Sequence, residues 1–499
     1  MSKQETDEAL ALLMNESPHS RMVGGTEYSW CKAVSGGTGT TVLAALFETD
    51  SVSTTSVQKA LEQLQAAHPR LRSRLIWLRG RPALAVSSSP AVKLQVRALD
   101  ELKNFPAEEL STNADDGDWL KLVEMELNMR SEWNEQNHSL EPQPMMICTL
   151  YAGIPAPTDR NKCSSCSLLA LRLHTAICDR ASGATILTEL VDRLMKLKSE
   201  SAGDITVNRL GAPGEEELQA DLSESISLVP IEDAIPKGQA DKPFWAHGLD
   251  ILGYSLGSRR HAMIPFENVE QSERCSQIIC KTLSSEDTEM LFKECKVQST
   301  NRLGALTAAV LKAIAKIKAL GVQREHHAVV TLLDCRHRLD PAISNSTVGF
   351  YHSALMNTHL VLGEEVPFWE LARRCSEAVV NAIKRRKHFT DMGDVGLLMC
   401  QAIQMPQLTP WGSLRTSSLV VFEEALEDDA SSSEARQSVG LVDYVGCSSV
   451  HGVGPSIAIF DTLRSGALHL TCVYPAPLHS RSQMNQLLDT TVKLLQTMA

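Results

Sequence analysis

Leu171-Arg172-Leu173-His174-Thr175-Ala176-Ile177-Cys178-Asp179-Arg180 places a histidine at the end of an apolar run and an aspartate five residues beyond it. Histidine is the side chain best suited to moving a proton near neutral pH. A nearby carboxylate can fix the ring's orientation, or it can hold the turn by bonding backbone or an arginine. A catalytic His174 and a hydrogen-bonded structural one are both compatible with these residues. Three other clusters compete for attention. Cys163-Ser164-Ser165-Cys166 is a single CxxC with no second pair at zinc-ligand spacing, so two thiols in a loop are expected. Asp115-Asp116-Gly117-Asp118 resembles part of a calcium loop but lacks the full ligand series, so it reads as a solvated turn. Lys384-Arg385-Arg386-Lys387-His388 is either a local anion-binding patch or a solvated helix end. No metal site is expected.

The elements that must position His174 and Asp179 are legible from periodicity. Leu168–His174 predicts a strand, and Ser182–Leu197 predicts a helix with Ile186, Leu187, Leu190, Leu194 and Leu197 on one stripe. The motif therefore sits in a tight turn at a strand end, a rigid and accessible place for a reactive group. Upstream, Thr40–Phe47 predicts a buried strand and Ser56–Ala67 a helix that stops at His68-Pro69, because the residue before proline leaves the helical region. A short strand is expected around Pro82–Val86, and residues from about 105 to 145 are mixed and charged, with no element assigned.

A second series of elements follows. Strands are predicted over Gln277–Leu283, Ala328–Leu333, Phe350–Leu360 and Ser418–Phe422. Helices are predicted over Glu286–Cys295, Asn301–Leu320 and Pro367–Arg385. Ser284 opens the first of these with a capping-box type of signal. A hairpin around Arg464-Ser465-Gly466 and a last helix over Ser480–Leu495 close the chain. Alternating strands and helices in both series give a mixed α/β (α+β) class. At 499 residues the chain exceeds the ~250–300 residues at which one core stops growing. Two units are expected: residues 1–205 carrying the motif, a polar linker over 206–245, and residues 246–499.

Composition excludes several functions. A net charge of -12 argues against nucleic-acid binding, which needs clustered Lys and Arg. No stretch approaches the ~18–20 apolar residues of a membrane span. The start, Met1 to Met14, lacks a basic segment followed by an apolar one, so a cytoplasmic location and thirteen reduced cysteines are expected. No coiled coil or broad apolar surface stripe is evident, and a monomer is expected.

Beyond these residues the sequence resembles a family. His174-Thr175-Ala176-Ile177-Cys178-Asp179-Arg180 is similar to the HHxxxDG motif of condensation domains and BAHD-type acyltransferases, the chloramphenicol-acetyltransferase-like superfamily. Aligned on Asp179, His174 matches the first histidine, Thr175 stands where the catalytic histidine belongs, and Arg180 replaces the glycine. His68-Pro69-Arg70-Leu71-Arg72-Ser73-Arg74-Leu75 resembles the family's HPxLRxRF segment, and Ser284–Ile317 its paired helices. Asp334-Cys335-Arg336-His337-Arg338-Leu339 with Val348-Gly349-Phe350-Tyr351-His352-Ser353 resembles the N-x-R-x-R-L … V-G-N-x stretch. The ordered set covers roughly residues 24 to 495. The DFGWG segment of plant BAHD enzymes is missing, and Trp411-Gly412 does not replace it.

The resemblance implies two chloramphenicol-acetyltransferase-like subdomains with a cleft or tunnel between them. It implies transfer of an acyl group from a thioester to an alcohol or amine, with no acyl-enzyme, no metal and no resident cofactor. Coenzyme A thioester is the expected co-substrate, because no carrier module is recognisable. Small-molecule donor and acceptor are then the partners. Asp179 becomes the turn-holding acid, paired with Arg336 or Arg338, and His174 the candidate base. Thr175, Tyr351, His352 and Ser353 become cleft-facing residues, with His352 a possible substitute base. The competing readings are a degenerate relative that binds a small molecule or protein in the cleft, and an enzyme that has reused the cleft for a lyase or cyclase reaction. A His174 ring open to a tunnel would favour the transferase, and one turned into the core the other two.

Overall fold

In a computed structural model of the chain, residues 20–78, 80–98, 119–129, 131–133, 142–155, 165–201, 229–258, 261–262, 264–267, 274–362, 366–404, 419–422, 426–427, 438–452 and 456–498 are described. Helix α1 (Gly25–Ser35) opens the chain and leads through a tight turn into β1 (Thr38–Glu48). Gly37 makes that turn at φ +97, and Gly39, at the start of β1, has φ +95 and a position where a Cβ would stand 2.8 Å from the Trp30 ring. Helix α2 (Thr54–Ala67) is capped by Ser53, whose hydroxyl accepts the Ser56 N–H. It buries Val57, Ala60, Leu61 and Leu64 and ends at His68-Pro69. Strands β2 (Ser73–Leu78), β3 (Arg81–Val86) and β4 (Leu94–Ala98) follow.

Helix α3 (Trp119–Asn128) stands inside the mixed, charged stretch without an assigned element. Its buried face of Leu120, Val123 and Leu127 supplies the apolar contact that a tally of charge overlooks. Strand β5 (Met146–Pro155) pairs antiparallel with β6 (Ser165–His174), and α4 (Arg180–Ser201) follows the motif turn.

The second half begins with α5 (Phe244–Ser258) and β7 (Cys275–Leu283). Helices α6 (Ser285–Val297) and α7 (Arg302–Ile317) are the expected pair, capped by Ser284 and Asn301. Then come β8 (Arg324–Asp334), β9 (His352–Leu362), α8 (Phe368–Lys384) and α9 (Met392–Gln404). The chain finishes with β10 (Leu419–Phe422), β11 (Leu441–Val450), the hairpin β12 (Ile457–Arg464) and β13 (Ala467–Ala476), and α10 (Arg481–Met498).

Two large sheets organise these elements. One runs β9-β8-β10-β12-β13-β7, with Leu426–Glu427 beside β12. The other runs β11-β1-β6-β5-β4. Strand β11 therefore crosses from the second half to pair antiparallel with β1, Tyr444 opposite Ala45 and Gly446 opposite Leu43. Side chains of β1 alternate between two cores. Leu43, Ala45 and Phe47 pack under α2 and α4 with Leu61, Leu64, Ile186 and Leu190. Val42, Ala44 and Leu46 face a second core shared with Ile278, Ala458, Phe460 and Val473 of the other sheet, plus α3. The halves are joined by apolar packing as well as by backbone.

The twelve described cysteines are free thiols. No helix among the described residues is long and apolar enough to cross a membrane. Asp115–Asp118, Cys163, Trp411-Gly412 and linker residues 206–228 lie outside the described residues. Of the remaining linker, Glu232 accepts the Thr26 N–H at the start of α1 at 2.5 Å, tying this segment to the first half.

Candidate functional site

Strand β6 is held to its last residue, because the His174 N–H donates to the Met145 carbonyl at 2.9 Å. The chain then makes a single 3-10 turn over Thr175–Ile177. Asp179 ends the turn as the cap of α4: its Oδ1 accepts the Ser182 N–H at 2.8 Å, and the Gly183 N–H donates to its carbonyl. The expected strand, turn and helix are all present, with the motif at the seam between the halves.

Asp179 is the hub of that seam. Arg336 Nη2 lies 2.9 Å from Oδ2 and donates to Oδ1 at 3.0 Å. The Tyr351 N–H donates to Oδ2 at 2.8 Å, and His352 Nδ1 lies 3.3 Å from the same oxygen. Burial would raise this carboxyl's pKa, but Arg336 and His352 overcome that and hold it far below the usual carboxylate range. Arg336 is buried with it and also binds Asp334 Oδ1 at 3.0 Å, the Ser182 hydroxyl at 2.9 Å and the Thr347 carbonyl. Its guanidinium lies 4.9 Å from the centre of the Tyr351 ring.

Of the two arginines expected to meet Asp179, Arg336 does so. Arg338 turns back to the Asp334 carbonyl at 2.7 Å. Tyr351 is fully buried, and its ring leaves no room for a side chain at position 349: a Cβ on Gly349 would stand 2.5 Å from it. Ser353 is buried and donates to the His388 carbonyl at 2.5 Å.

His174 is fully buried, and its ring meets Trp133 edge to face at 5.4 Å, beside Val34 and Ile147. Nδ1 accepts the Ala176 N–H at 3.1 Å, which places the proton of the neutral ring on Nε2. Nε2 has no hydrogen-bond partner among the described residues. Burial lowers the ring's pKa to about 3. The lone pair is thus committed to the protein's own turn, and the ring is neutral at ordinary pH. The ring is turned into the core rather than open to a tunnel, the orientation that favours the binding and repurposed readings.

Thr175, which the resemblance aligns with the second histidine of the motif, opens the 3-10 turn. Its hydroxyl donates to the Gly39 carbonyl and pairs with Thr41 Oγ1 at 2.8 Å, which pairs in turn with Ser448 of β11 at 2.7 Å. This chain of hydroxyls contains no basic group. Trp30 packs against Gly39 and meets Phe350 at 5.5 Å, and Phe350 leads on to His352 at 6.3 Å. Arg180, which the resemblance aligns with the motif glycine, is half-buried and reaches across to Asp461 of β12, which also pairs with Arg302 at 3.2 Å. Burial lowers the Arg180 pKa to about 10, against the pull of Asp461.

A second buried pair was not among the expected site residues. Arg70, in the His68-Pro69-Arg70 segment, binds Glu27 of α1 at 2.7 Å, with both side chains sealed from solvent. Glu27 also accepts from Arg21 at 2.7 Å and from the Gly24 N–H at 2.8 Å. Arg70 reaches the Val229 carbonyl at 2.9 Å and the Tyr351 side chain. Tyr351 thereby stands between Arg70 and Arg336, linking the two ion pairs. The only sequence signal is an arginine directly after a helix-ending proline, which does not distinguish a buried guanidinium from a surface one.

This architecture matches solved structures across nearly the whole chain. Trichothecene 15-O-acetyltransferase TRI3 from Fusarium sporotrichioides superposes with a TM-score of 0.65 at 12% identity, covering 96% of this chain and 95% of that one. The EpoB cyclization-docking bidomain from Sorangium cellulosum gives 0.60 at 12% identity, covering 96% and 85%. The first condensation domain of the calcium-dependent antibiotic synthetase gives 0.57 at 13% identity, covering 95% of each. The chain has the fold of condensation domains and chloramphenicol-acetyltransferase-like acyltransferases. No family model matches it, and no curated protein matches it by sequence.

Proposed function

We propose that this protein transfers an acyl group from a thioester, with coenzyme A the expected carrier, to an alcohol or amine, and that His352 takes the place of the absent motif histidine. The supporting observation is the 3.3 Å approach of His352 Nδ1 to Asp179 Oδ2, with that carboxylate fixed by Arg336. A carboxylate on Nδ1 sets the tautomer that makes Nε2 the basic nitrogen. The acceptor's proton passes to Nε2 as its oxygen or nitrogen attacks the thioester carbonyl. The tetrahedral adduct collapses, the carbon–sulfur bond breaks, and the departing thiolate takes the proton back from the imidazolium. Asp179 stays ionised throughout and balances the transient ring charge. Because the similarity to solved structures establishes the fold alone, donor and acceptor are part of this proposal.

A binding protein without chemistry is the second reading. It is favoured by the His174 ring, which is turned into the core, and by Thr175, whose hydroxyl is spent on the Gly39 carbonyl. One experiment separates the two. The protein is incubated with a panel of acyl-coenzyme A donors and pooled alcohols and amines while free thiol is followed. Acceptor-dependent thiol release that falls at least a hundredfold in His352→Gln and persists in Thr175→Ala supports the transferase. Release that survives His352→Gln removes the assigned base. Saturable donor binding with no turnover in any variant establishes the second reading.

A further inference from the structure

Arg70 is sealed in the core with Glu27, its Nη1 2.7 Å from Oε1. A buried ion pair is a poor way to stabilise a core, since apolar side chains of similar volume do as well or better. What a guanidinium adds is direction, because its N–H groups form a rigid fork. Here the fork gathers distant parts of the chain. Nη1 takes Glu27 of α1, and Nη2 takes the Val229 carbonyl at 2.9 Å, in the segment that leads into the second half. The Tyr351 side chain, whose one polar atom is its hydroxyl, joins from the second half itself. Glu27 is aimed in turn by both terminal nitrogens of Arg21 at 2.7 Å and by the Gly24 N–H at 2.8 Å.

Tyr351 is held on its other sides as well. The Arg336 guanidinium lies 4.9 Å from the ring centre, and Gly349 comes so close to the ring edge that a Cβ there would stand 2.5 Å away. Its backbone carries the link onward. The Tyr351 N–H donates to Asp179 Oδ2 at 2.8 Å, and its carbonyl accepts the Cys335 N–H at 2.9 Å. That same Oδ2 is the oxygen that His352 Nδ1 approaches at 3.3 Å. His352 is the next residue in the chain and the first of β9. Movement of the Tyr351 ring is therefore passed through a single residue to both the carboxylate and the imidazole it orients.

We propose that Arg70, aimed by Glu27, is a positioning residue for His352: it anchors the Tyr351 hydroxyl and so sets how His352 Nδ1 meets Asp179. This rests on the reading of His352 as the base. Arg70 acts through Tyr351 and touches no substrate. Misplacing a base costs rate, and the loss falls on kcat when substrate binding is untouched.

Two measurements on the full chain test it. One is turnover of acyl-coenzyme A with an acceptor. The other is the nuclear magnetic resonance spectrum of protein carrying isotope-labelled histidine, in which the His352 Nδ1–H on its carboxylate gives a downfield proton signal that vanishes in His352→Gln. Tyr351→Phe removes only the hydroxyl, and Glu27→Gln with Arg70→Met removes the pair without leaving a lone buried charge. Each is expected to lower kcat about tenfold or more, to leave KM within about twofold, and to move the His352 signal. Combining Tyr351→Phe with the pair is expected to add nothing, because both cut the same link. Variants that melt earlier yet keep the wild-type kcat and signal would make the network structural only and overturn the proposal. So would additive losses in the combined variant, or a wild type without the signal. If the wild type turns over no donor, the transferase reading fails and the signal decides alone: movement in Tyr351→Phe and in the pair supports the placement of His352, and no movement overturns it.

Discussion

Asp179 and Arg336 meet at 2.9 Å from opposite halves of the protein, and both side chains are closed to solvent. Each also holds its own half. Asp179 caps α4, while Arg336 ties Asp334 and the Thr347 carbonyl. A buried pair is weak evidence of net stabilisation, but removing one member leaves an uncompensated charge. Asp179→Asn and Arg336→Met are each expected to cost about 3–5 kcal/mol, with the double variant costing less than their sum. Denaturant unfolding of the four proteins measures this. Strictly additive losses would mean the two residues do not act through one another.

Protonation of His174 opposes the fold. Burial lowers its pKa from 6.5 to about 3, so between these values the unfolded chain binds more protons than the folded one. The resulting stability is complete above pH 6.5 and declines as pH falls toward 3. His174→Gln should flatten the melting temperature against pH within this window. A slope identical to wild type would mean that other groups set it.

Glu27 acts in a lower window. Burial raises its pKa, but Arg70 and Arg21 bring it from 4.5 to about 2. Its contribution is present above pH 4.5 and is lost as pH falls through 2. Glu27→Gln is expected to destabilise the protein at neutral pH by a few kcal/mol, because Arg70 is left buried without its partner. Below pH 2 the variant and wild type should converge, which melting curves in acid can check.

Gly349→Ala tests packing around the seam. The new methyl would stand 2.5 Å from the Tyr351 ring, which Arg336 covers on one face. A loss of about 1–3 kcal/mol is expected. Tyr351→Leu in the same background should recover part of it by making room.

Most of the scaffold is legible in the sequence because its elements follow simple periods. Strands β1 and β6, helices α2, α4 and α7, and the β12–β13 hairpin all lie within a few residues of the expected ranges. Elements that break the rule of apolar-inside are not legible. Helix α1 buries Glu27, Ser29 and Lys32, so its stripe is masked by polar letters. Helix α5 turns its apolar letters outward. At the site, the Asp179–Arg336 pairing follows from the resemblance, whereas the orientation of His174 depends on Trp133, a packing fact with no local signature. The Glu27–Arg70 pair joins positions 43 residues apart and has no local signature either.

Strand β11 has a consequence for the order in which the protein can be made. Its residues leave the ribosome after nearly everything else, yet β1 needs them as a neighbour. Until residue 450 has emerged, β1 is a bare edge with unpaired amides and carbonyls, and Val42, Ala44 and Leu46 lack part of their cover. The first half is therefore a waiting intermediate during synthesis, and a fragment ending in the linker would keep that sticky edge permanently.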